Sequence, residues 1–236
     1  DANAGYYVSS IGSSVQIACS GGTYNPLSGS NSPTDCIGSD PGFNVPILTD
    51  VNAGTSHSCA ILDDGAIRCW GSNGNGQLGD GSRDDKLAPT VVNTPLGRIA
   101  ISVSTGSAHS CAIFDDGSLR CWGDNSQGQL GDGTTVERTA PTLVNLGNGR
   151  SASSITLGQT HTCSILDDNS VKCWGGNANG QLGDGSTSDR NIPTKILFDG
   201  SDVISLSAGS YHTCAILINS SIECWGDNWH GQLGDG

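Results

Sequence analysis

The stretch HSCAILDDGAIRCWG, residues 57–71, decides the fold, because the same pattern returns three more times along the chain. The later copies read HSCAIFDDGSLRCWG, HTCSILDDNSVKCWG and HTCAILINSSIECWG, and their first cysteines follow at intervals of 52, 52 and 51 residues. A period near 50 residues is typical of solenoids, propellers and module arrays. The 236-residue chain is therefore mainly one repeated unit.

Each repeat contains four short segments with the composition of β-strands. They are apolar or β-branched and are bounded by glycine, asparagine and aspartate. No helical periodicity competes with them. In the second repeat they are residues 99–103, 109–114, 118–123 and 141–144. Four strands in each repeat are the pattern of a propeller blade, so the sequence predicts an all-β fold.

The two cysteines of the opening stretch lie symmetrically about Asp64. A loop over residues 63–65, built as a type I turn and a left-handed glycine, sets Cys59 opposite Cys69. Counting outward from the turn makes this a non-hydrogen-bonded pair, with its Cα atoms roughly 4.5 Å apart. That separation lies at the short end of the range that a disulfide spans.

The glycine position of this turn changes in the later repeats. The third repeat has Asn169 there, which tolerates the left-handed conformation. The fourth has Ser220, and we expect its turn to differ. The same tip holds an N-x-S/T sequon, which makes Asn219 a candidate N-glycosylation site.

The side-chain alternation of the first hairpin strand places apolar residues on both of its faces. Cys59 and Ile61 share one face, and Ala60 and Leu62 share the other. A strand that is apolar on both sides belongs to a sheet covered on both sides. This agrees with blades stacked around an axis.

The chain has ten cysteines, and eight of them form four pairs with identical spacing. An even number and a regular pairing favour disulfides, and therefore a secreted or cell-surface protein. The predicted bridges are Cys59–Cys69, Cys111–Cys121, Cys163–Cys173, Cys214–Cys224 and Cys19–Cys36.

A histidine two residues before the first cysteine of each pair offers a metal site as an alternative. It shares the cysteine face and would give three soft ligands in each repeat. Zinc sites usually use tighter cysteine spacing, and redox catalysis normally uses C-x-x-C. We therefore predict no metal site, and ring nitrogens bonded to backbone, for His57, His109, His161 and His212.

The glycine-rich loops also lack the features of a ligand site. GDGSRDD, residues 79–85, has neither the alternating oxygen donors nor the final glutamate of an EF-hand. GSNGNGQLG, residues 71–79, has no lysine and no strand-to-helix context for a phosphate loop. No catalytic triad or carboxylate pair stands out either. The sequence therefore predicts a non-enzyme without a cofactor.

The charge limits the partners. A net charge of −13 repels phosphate backbones and anionic lipid, so nucleic acid is excluded as a partner. No apolar run approaches the roughly eighteen residues that a membrane span needs, so membrane insertion is excluded too.

Residues 1–43 differ from the repeats. They contain too little apolar material for a core, so the bridge between Cys19 and Cys36 would hold them together. The string CSGGTYNPLSGSNSPTDC is similar to small cysteine-rich repeats of extracellular proteins. We predict a cysteine-rich module over residues 1–43 and a propeller over residues 44–236.

HSCAILDDGAIRCWG, the following NGNGQLGDG and APTVV resemble the regulator of chromosome condensation (RCC1) repeat family. The match runs from about residue 51 to residue 236. The resemblance implies a β-propeller, usually of seven blades. The family's activities are diverse: nucleotide exchange on a small GTPase with chromatin binding, β-lactamase inhibition, light sensing through clustered tryptophans, and protein-binding modules of larger enzymes. Only the scaffold positions carry over to this chain.

Four repeats, the last without its Pro-Thr strand, give fifteen strands and an incomplete or open propeller. Its unpaired edge invites another strand. Either the natural protein continues beyond Gly236 or a neighbouring copy completes the blade, and the first alternative is favoured.

Two positions separate the fourth repeat from the others. Trp229 and His230 stand where the other repeats have small or polar residues. A tryptophan in a loop is a natural interface anchor, whereas the tryptophans at 70, 122, 174 and 225 recur once a repeat and suit blade packing. The alternatives for Trp229 are a local gap-filler or a contact with a missing fifth blade.

The predicted function is a non-enzymatic extracellular scaffold for adhesion, surface assembly or filaments. Its partner would be another protein, a second copy or possibly a glycan. The variable loops at residues 82–87, 134–139 and 186–192 would provide the binding surface. The alternative is a secreted inhibitor or accessory protein that binds an enzyme or a glycan across one propeller face.

Overall fold

A computed structural model describes residues 47–198 and 202–236, together with short strands at 6–8, 16–18, 23–24 and 37–38. The chain divides into two compact units, Asp1–Ile47 and Leu48–Gly236. All regular secondary structure in the described residues is β-strand, which confirms the predicted all-β class. No helix in these ranges is long and apolar enough to cross a bilayer.

The first unit contains two short antiparallel strand pairs. β1 (Tyr6–Val8) pairs with β2 (Gln16–Ala18), and β3 (Thr23–Tyr24) pairs with β4 (Ile37–Gly38). Cys19 and Cys36, and the expected boundary at residue 43, lie outside the described residues. The bridge between these cysteines stays a prediction.

The second unit is a series of antiparallel sheets in which the strands follow sequence order. Three sheets have four strands and the last has three, as the sequence predicted for an incomplete propeller. Blade 1 is β5 (Leu48–Ala53), β6 (His57–Leu62), β7 (Ile67–Gly71) and β8 (Lys86–Val91); blade 2 is β9 (Ala100–Thr105), β10 (His109–Phe114), β11 (Leu119–Gly123) and β12 (Arg138–Leu143); blade 3 is β13 (Ala152–Leu157), β14 (His161–Leu166), β15 (Val171–Gly175) and β16 (Arg190–Ile196); blade 4 is β17 (Val203–Ala208), β18 (His212–Leu217) and β19 (Ile222–Gly226).

The central hairpin of each blade has the register that the turn predicts. Cys59 pairs with Cys69 across β6 and β7, and their Cα atoms are 4.1 Å apart. Gly65 N donates to Leu62 O at 2.9 Å, and Gly65 has a φ of 77°. Disulfides join all four hairpin pairs: Cys59–Cys69, Cys111–Cys121, Cys163–Cys173 and Cys214–Cys224.

The expectation of a different turn in blade 4 is wrong. Ser220 N donates to Leu217 O at 2.9 Å, and Leu217 N donates to Ser221 O at 2.9 Å, as in the other blades. Ser220 adopts a φ of 67° to do so. The flanking strands impose the hairpin on a residue that has little preference for the left-handed conformation.

The core lies between the blades and repeats at each blade contact. One side of a blade, its cysteine face, carries the disulfide; the other, its tryptophan face, carries the recurring tryptophan. The cysteine face of each blade packs on the tryptophan face of the next. The first contact contains Cys59, Ile61 and Ile67 from blade 1 and Val103, Phe114 and Trp122 from blade 2. Equivalent clusters join blades 2 and 3 and blades 3 and 4.

Candidate functional site

Histidine, tryptophan and glutamine recur at the same spacing in each repeat. Together with a serine or threonine they form a hydrogen-bond network between neighbouring blades, which we call the relay. His57 Nε2 lies 2.8 Å from Ser110 Oγ. Ser110 Oγ donates to the backbone carbonyl of Gln77 at 2.9 Å, and Trp122 Nε1 donates to the same carbonyl at 2.9 Å. Because the Ser110 proton is used by this carbonyl, its oxygen accepts from His57. The imidazole of His57 therefore carries its proton on Nε2.

The same relay recurs at the other two blade contacts. His109 Nε2 lies 3.0 Å from Thr162 Oγ1, and His161 Nε2 lies 2.9 Å from Thr213 Oγ1. These hydroxyls and the indoles of the same blades bond to the backbone carbonyls of Gln129 and Gln181. The expectation that the histidines bond to backbone is wrong, because they bond to a side chain of the next blade.

Burial keeps the relay histidines neutral. Burial lowers the pKa of His57 and of His161 to about 4, the second with help from the neighbouring His212. Burial and the neighbouring His161 and His57 lower the pKa of His109 to about 3. The Nδ1 atoms of these three rings have no hydrogen-bond partner among the described residues. The rings therefore hold blades together and are closed to solvent.

Acid should weaken the blade contacts, because it favours the protonated imidazole, which the buried sites disfavour. An unfolded histidine binds its proton near pH 6.5, whereas folded His57 binds it near pH 4. Between these values the unfolded chain holds more protons, so the free energy of unfolding falls as the pH falls from about 6.5 to about 4. The loss for one such histidine is about 3 kcal/mol at pH 4.

Thermal unfolding at a series of pH values measures this loss. His109→Gln keeps an Nε2 donor but cannot titrate, so it should make the loss of stability in this window smaller, while His57 and His161 still contribute. The matched control His230→Gln changes an exposed histidine and should leave the profile as it is. A midpoint that is constant between pH 6.5 and pH 4 in the unsubstituted protein would contradict the assignment.

In blades 1, 2 and 3, the glycine-rich loop after the hairpin is closed by one buried asparagine. Asn73 Nδ2 donates to Asp80 Oδ1 at 3.2 Å and to the carbonyls of Ser82 and Asp84 at 3.1 Å. Asn73 Oδ1 accepts from Leu78 N at 3.0 Å. Asn125 and Asn177 make the same bonds in blades 2 and 3.

The loop aspartates are also used within the fold. Arg138 Nη2 lies 2.6 Å from Asp132 Oδ2, and Arg190 pairs with Asp184 in the same way. Burial acts to raise the pKa of Asp132, but hydrogen bonds from Thr134 and Arg138 outweigh it and hold the pKa below its usual value. No cluster of three metal-ligating side chains occurs in the described ranges. The aspartates of these loops in blades 2 and 3 are therefore used in ion pairs and hydrogen bonds within the fold.

Removing the loop asparagine should destabilise an interior blade. Asn125→Ala leaves several buried groups without partners, and we expect a loss of about 2–4 kcal/mol in the free energy of unfolding. Asn228→Ala is the matched control, because Asn228 holds the same repeat position but is exposed in blade 4. Urea denaturation should show a change below about 0.5 kcal/mol for it. Equal losses in both variants would contradict this account.

The innermost strands end at an open, polar depression. β5, β9, β13 and β17 lie next to one another, and their ends line a space of about 330 Å³ that is open to solvent. At the blade 2 position, a Cβ on Gly106 would lie 2.4 Å from the His109 ring and 2.6 Å from Gly158 O. This close approach requires glycine. The lining contains no ionisable side chain and offers mainly backbone groups: Ala53, Gly54, Thr55, Thr105, Gly106, Ser107, Leu157, Gly158, Gln159, Ala208, Gly209 and Ser210.

The exposed apolar side chains of the variable loops lie in three successive blades. Leu87, Val136 and Ile192 are all exposed; Val136 lies in a loop, whereas Leu87 and Ile192 lie near the starts of β8 and β16, at the ends of their loops. Arg83 and Glu137 form an ion pair between the loops of blades 1 and 2. The loops at residues 82–87, 134–139 and 186–192 therefore offer neighbouring contact surfaces that differ from blade to blade.

The fourth repeat places its unusual residues in solvent. Trp229 is 87% exposed, and His230 and Asn219 are exposed as well. Asn219 Oδ1 accepts hydrogen bonds from Ser221 N at 2.9 Å and Ser221 Oγ at 2.7 Å. Gln127, which corresponds to His230, lies against Gly176 of the next blade. His230 and Trp229 thus stand at the rim of the face that has no following blade in the described structure. Their role as an interface stays a prediction, as does glycosylation of Asn219.

Comparison with known proteins agrees with this architecture. A family model described as the regulator of chromosome condensation (RCC1) repeat matches residues 64–113, 116–165 and 168–216. The chain belongs to the RCC1 repeat family. A second RCC1 repeat model matches residues 48–77, 100–129, 152–181 and 203–232, so all four repeats are recognised.

Relatives with RCC1 repeats are much longer than this chain. The ultraviolet-B receptor UVR8 of Arabidopsis thaliana is 34% identical over 188 residues, which cover 79% of this chain and 43% of that protein. The E3 ubiquitin-protein ligase HERC2 of Homo sapiens is 31% identical over 192 residues, which cover 80% of this chain and 4% of that protein. The chain spans less than half the length of either relative.

Solved RCC1-type structures show the same fold. The match to human WBSCR16 has a TM-score of 0.73 at 24% identity, and it covers 87% of this chain and 53% of the WBSCR16 chain. The match to Prp20p of Saccharomyces cerevisiae has a TM-score of 0.70 at 24% identity, and it covers 83% of this chain and 49% of the Prp20p chain. That structure is described together with the binding of Prp20p to Gsp1p and histones. These likenesses establish a propeller of RCC1 blades.

Reasoning from the sequence missed the partners of the relay. The residue after each histidine is serine or threonine, and the glutamine of each GQLGDG string recurs with the same period. The recurrence of these positions together with histidine and tryptophan could have indicated that they bond to one another. The bonds join side chains about 53 residues apart, however, so they cannot be recognised within a single repeat.

Proposed function

We propose that this RCC1 propeller is a non-enzymatic, extracellular protein-binding scaffold whose variable loops contact the partner. One observation carries the proposal: the recurring polar groups are used inside the fold, whereas apolar residues in the variable loops and at the strand starts beside them are left exposed. Asn73 and Asp80 illustrate the first class, and Leu87 and Val136 illustrate the second. Exposed apolar side chains on loops of a rigid framework are typical of binding surfaces.

The disulfides support the extracellular part of the proposal. Three of the four described bridges have both sulfurs fully buried between blades: Cys59–Cys69, Cys111–Cys121 and Cys163–Cys173. Such bridges form and persist in oxidising surroundings and are rare in the reducing cytosol. The acidic surface adds solubility and works against binding to phosphate backbones.

Related proteins support protein binding as the general mode. RCC1 repeat propellers generally act by binding rather than by catalysis. A solved complex shows yeast RCC1 (Prp20) bound to Kap60, and its fold covers 80% of this chain with a TM-score of 0.68. Loops vary more than the blades that hold them. If the loops of this chain differ from those of its relatives, we expect it to bind a different partner protein.

Loop variants provide the test. The unsubstituted chain, coupled to beads, is crosslinked to surface-protein extracts of its native cells. The loop variant carries Leu87→Ser, Val136→Ser and Ile192→Ser. The control variant carries Ile101→Ser, Leu143→Ser and Ile204→Ser, at three exposed apolar positions outside these loops.

We expect one set of proteins to be captured by the unsubstituted chain and by the control, and capture by the loop variant to fall about tenfold or more. Unchanged melting temperatures show that each variant is folded. Capture that survives in the loop variant would overturn the proposed surface.

A further inference from the structure

We propose that Asn148 is a site of spontaneous covalent modification, at which the side-chain amide is lost as ammonia and aspartate and isoaspartate form. Asn148 lies in the linker between β12 and β13, and Gly149 follows it. Asparagine is a thermolabile residue, and a following glycine has no side chain to hinder attack by its backbone nitrogen. This inference goes beyond the proposed function, because the linker lies outside the variable loops.

The reaction exchanges ammonia for water. The backbone nitrogen of Gly149 gives up its proton and attacks Cγ of Asn148, and the bond between Cγ and Nδ2 breaks. Nδ2 leaves as ammonia with that proton, and a five-membered succinimide remains. Water then opens the ring: cleavage between nitrogen and Cγ gives aspartate, whereas cleavage between nitrogen and the backbone carbonyl carbon gives isoaspartate. No atom is oxidised or reduced.

The turn around Asn148 leaves both reacting groups accessible. Asn148 and Gly149 are exposed, and Arg150 N donates to Gly147 O at 3.3 Å to close the turn around them. Neither the side chain of Asn148 nor Gly149 N makes a hydrogen bond to another residue in the described ranges. A Cβ on Gly149 would meet no atom within 4 Å, so the space for attack is open.

The sequence contains four Asn-Gly pairs, and the fold protects the pair that begins at Asn73 by fixing its side chain. Asn73 is buried, its Nδ2 donates to Asp80 Oδ1 at 3.2 Å and its Oδ1 accepts from Leu78 N at 3.0 Å. Cγ of this residue can move to the next backbone nitrogen only if these bonds break. Attack on Asn73 therefore requires the loop to open.

The pairs that begin at Asn75 and at Asn179 are protected at the attacking nitrogen. In each, the glycine N donates to the backbone carbonyl of the asparagine three residues before it, at 2.8 Å and 2.9 Å respectively. A nitrogen whose proton is held in a hydrogen bond must break that bond before it can lose the proton and attack. Of the four pairs, the one at Asn148 alone has both its amide and its nitrogen free within the described part of the chain.

The modification changes the charge of the chain more than its stability. It adds one negative charge to a net charge of −13, two residues before Arg150. Arg150 pairs with Asp168 at 2.9 Å, and both side chains are partly exposed. Exposed ion pairs contribute little to stability, so a modified molecule stays folded. The added charge therefore records the age of each molecule.

The linker between blades 1 and 2 contains a matched turn without the asparagine. Arg98 N donates to Pro95 O at 3.4 Å, and Gly97 has a φ of 74°, against 68° for Gly149. The position of Asn148 is taken there by Leu96, which is fully exposed. Asn148→Leu therefore copies the blade 1 turn and removes the reacting amide. Leu96→Asn creates a second Asn-Gly pair in an equivalent turn.

Timed incubation of the folded chain and of the reduced chain in urea tests the inference. Both are held at body temperature in mildly alkaline buffer made with heavy-oxygen water. Peptide mass mapping follows the loss of amide and the uptake of oxygen at each Asn-Gly pair, and labelling by an isoaspartyl methyltransferase counts the isoaspartate. Circular dichroism shows that the variants are folded.

We expect Asn148 of the folded chain to react about tenfold or more faster than Asn73, Asn75 and Asn179. In urea the four rates should converge, because the bonds that protect the other three pairs are lost. Asn148→Leu should remove the fast reaction, and Leu96→Asn should gain a second site of similar rate.

Two results in the unsubstituted chain would refute the inference. One is a folded chain in which Asn75 or Asn179 reacts as fast as Asn148, and the other is an Asn148 that keeps its amide in the folded chain while it loses it in urea. A Leu96→Asn variant that gains no second site would refute it as well, since the equivalent turn would then be unreactive.

Discussion

Reduction of the blade disulfides is expected to begin at Cys214–Cys224 and to reach the three interior bridges only after blades separate. The sulfurs of the interior bridges are fully buried, whereas Cys214 and Cys224 are half-buried on the cysteine face of blade 4. A thiolate must reach a sulfur atom in order to attack it. Each bridge closes a short loop with a sequence separation of 10 residues, and its loss should cost about 3 kcal/mol.

Timed alkylation during treatment with dithiothreitol, followed by peptide mass mapping, gives the order of reduction. Paired substitutions give the energies: Cys111→Ala with Cys121→Ala for an interior bridge, and Cys214→Ala with Cys224→Ala for the end bridge. Reduction of all four bridges at one common rate would contradict the buried placement of the interior three.

The second large effect is expected at Trp122. Its indole is fully buried between blades 1 and 2, and Nε1 donates to Gln77 O at 2.9 Å. Trp122→Ala removes this bond and leaves a cavity, so the free energy of unfolding should fall by about 3–5 kcal/mol.

Trp70→Ala is the matched control, because Trp70 occupies the same position in blade 1. Trp70 is only half-buried and makes no such bond in the described part of the chain. Its loss should cost clearly less, about 1–2 kcal/mol. Urea denaturation compares the two variants, and equal losses would show that the interior contact is not what stabilises Trp122.

The sequence was most informative where structure depends on neighbours along the chain. The cysteine register, the left-handed Gly65 and the number of strands follow from turn geometry and from the repeat. These features are local, because residues 59 and 69 belong to one hairpin. The recurrence of the pattern also indicated the family.

Features that depend on the next blade were predicted less well. The backbone conformation of Ser220 was also missed, although it depends on its own hairpin, because the flanking strands overrule the residue's preference. The hydrogen-bond partner of His57 lies 53 positions away, so it cannot be identified from the sequence of one repeat. The module at residues 1–43 remains an expectation from composition, because most of it lies outside the described residues.

The equivalence of the contacts between successive blades has a consequence for cooperativity and for evolution. Each blade contact uses the same relay positions and the same apolar positions, so stability is approximately a sum over nearest neighbours, as in a one-dimensional array. Duplicating or deleting one whole repeat would create a new junction of the same type as those it replaces. The number of blades is therefore not encoded within any one repeat, and a gene can vary it without redesigning the units.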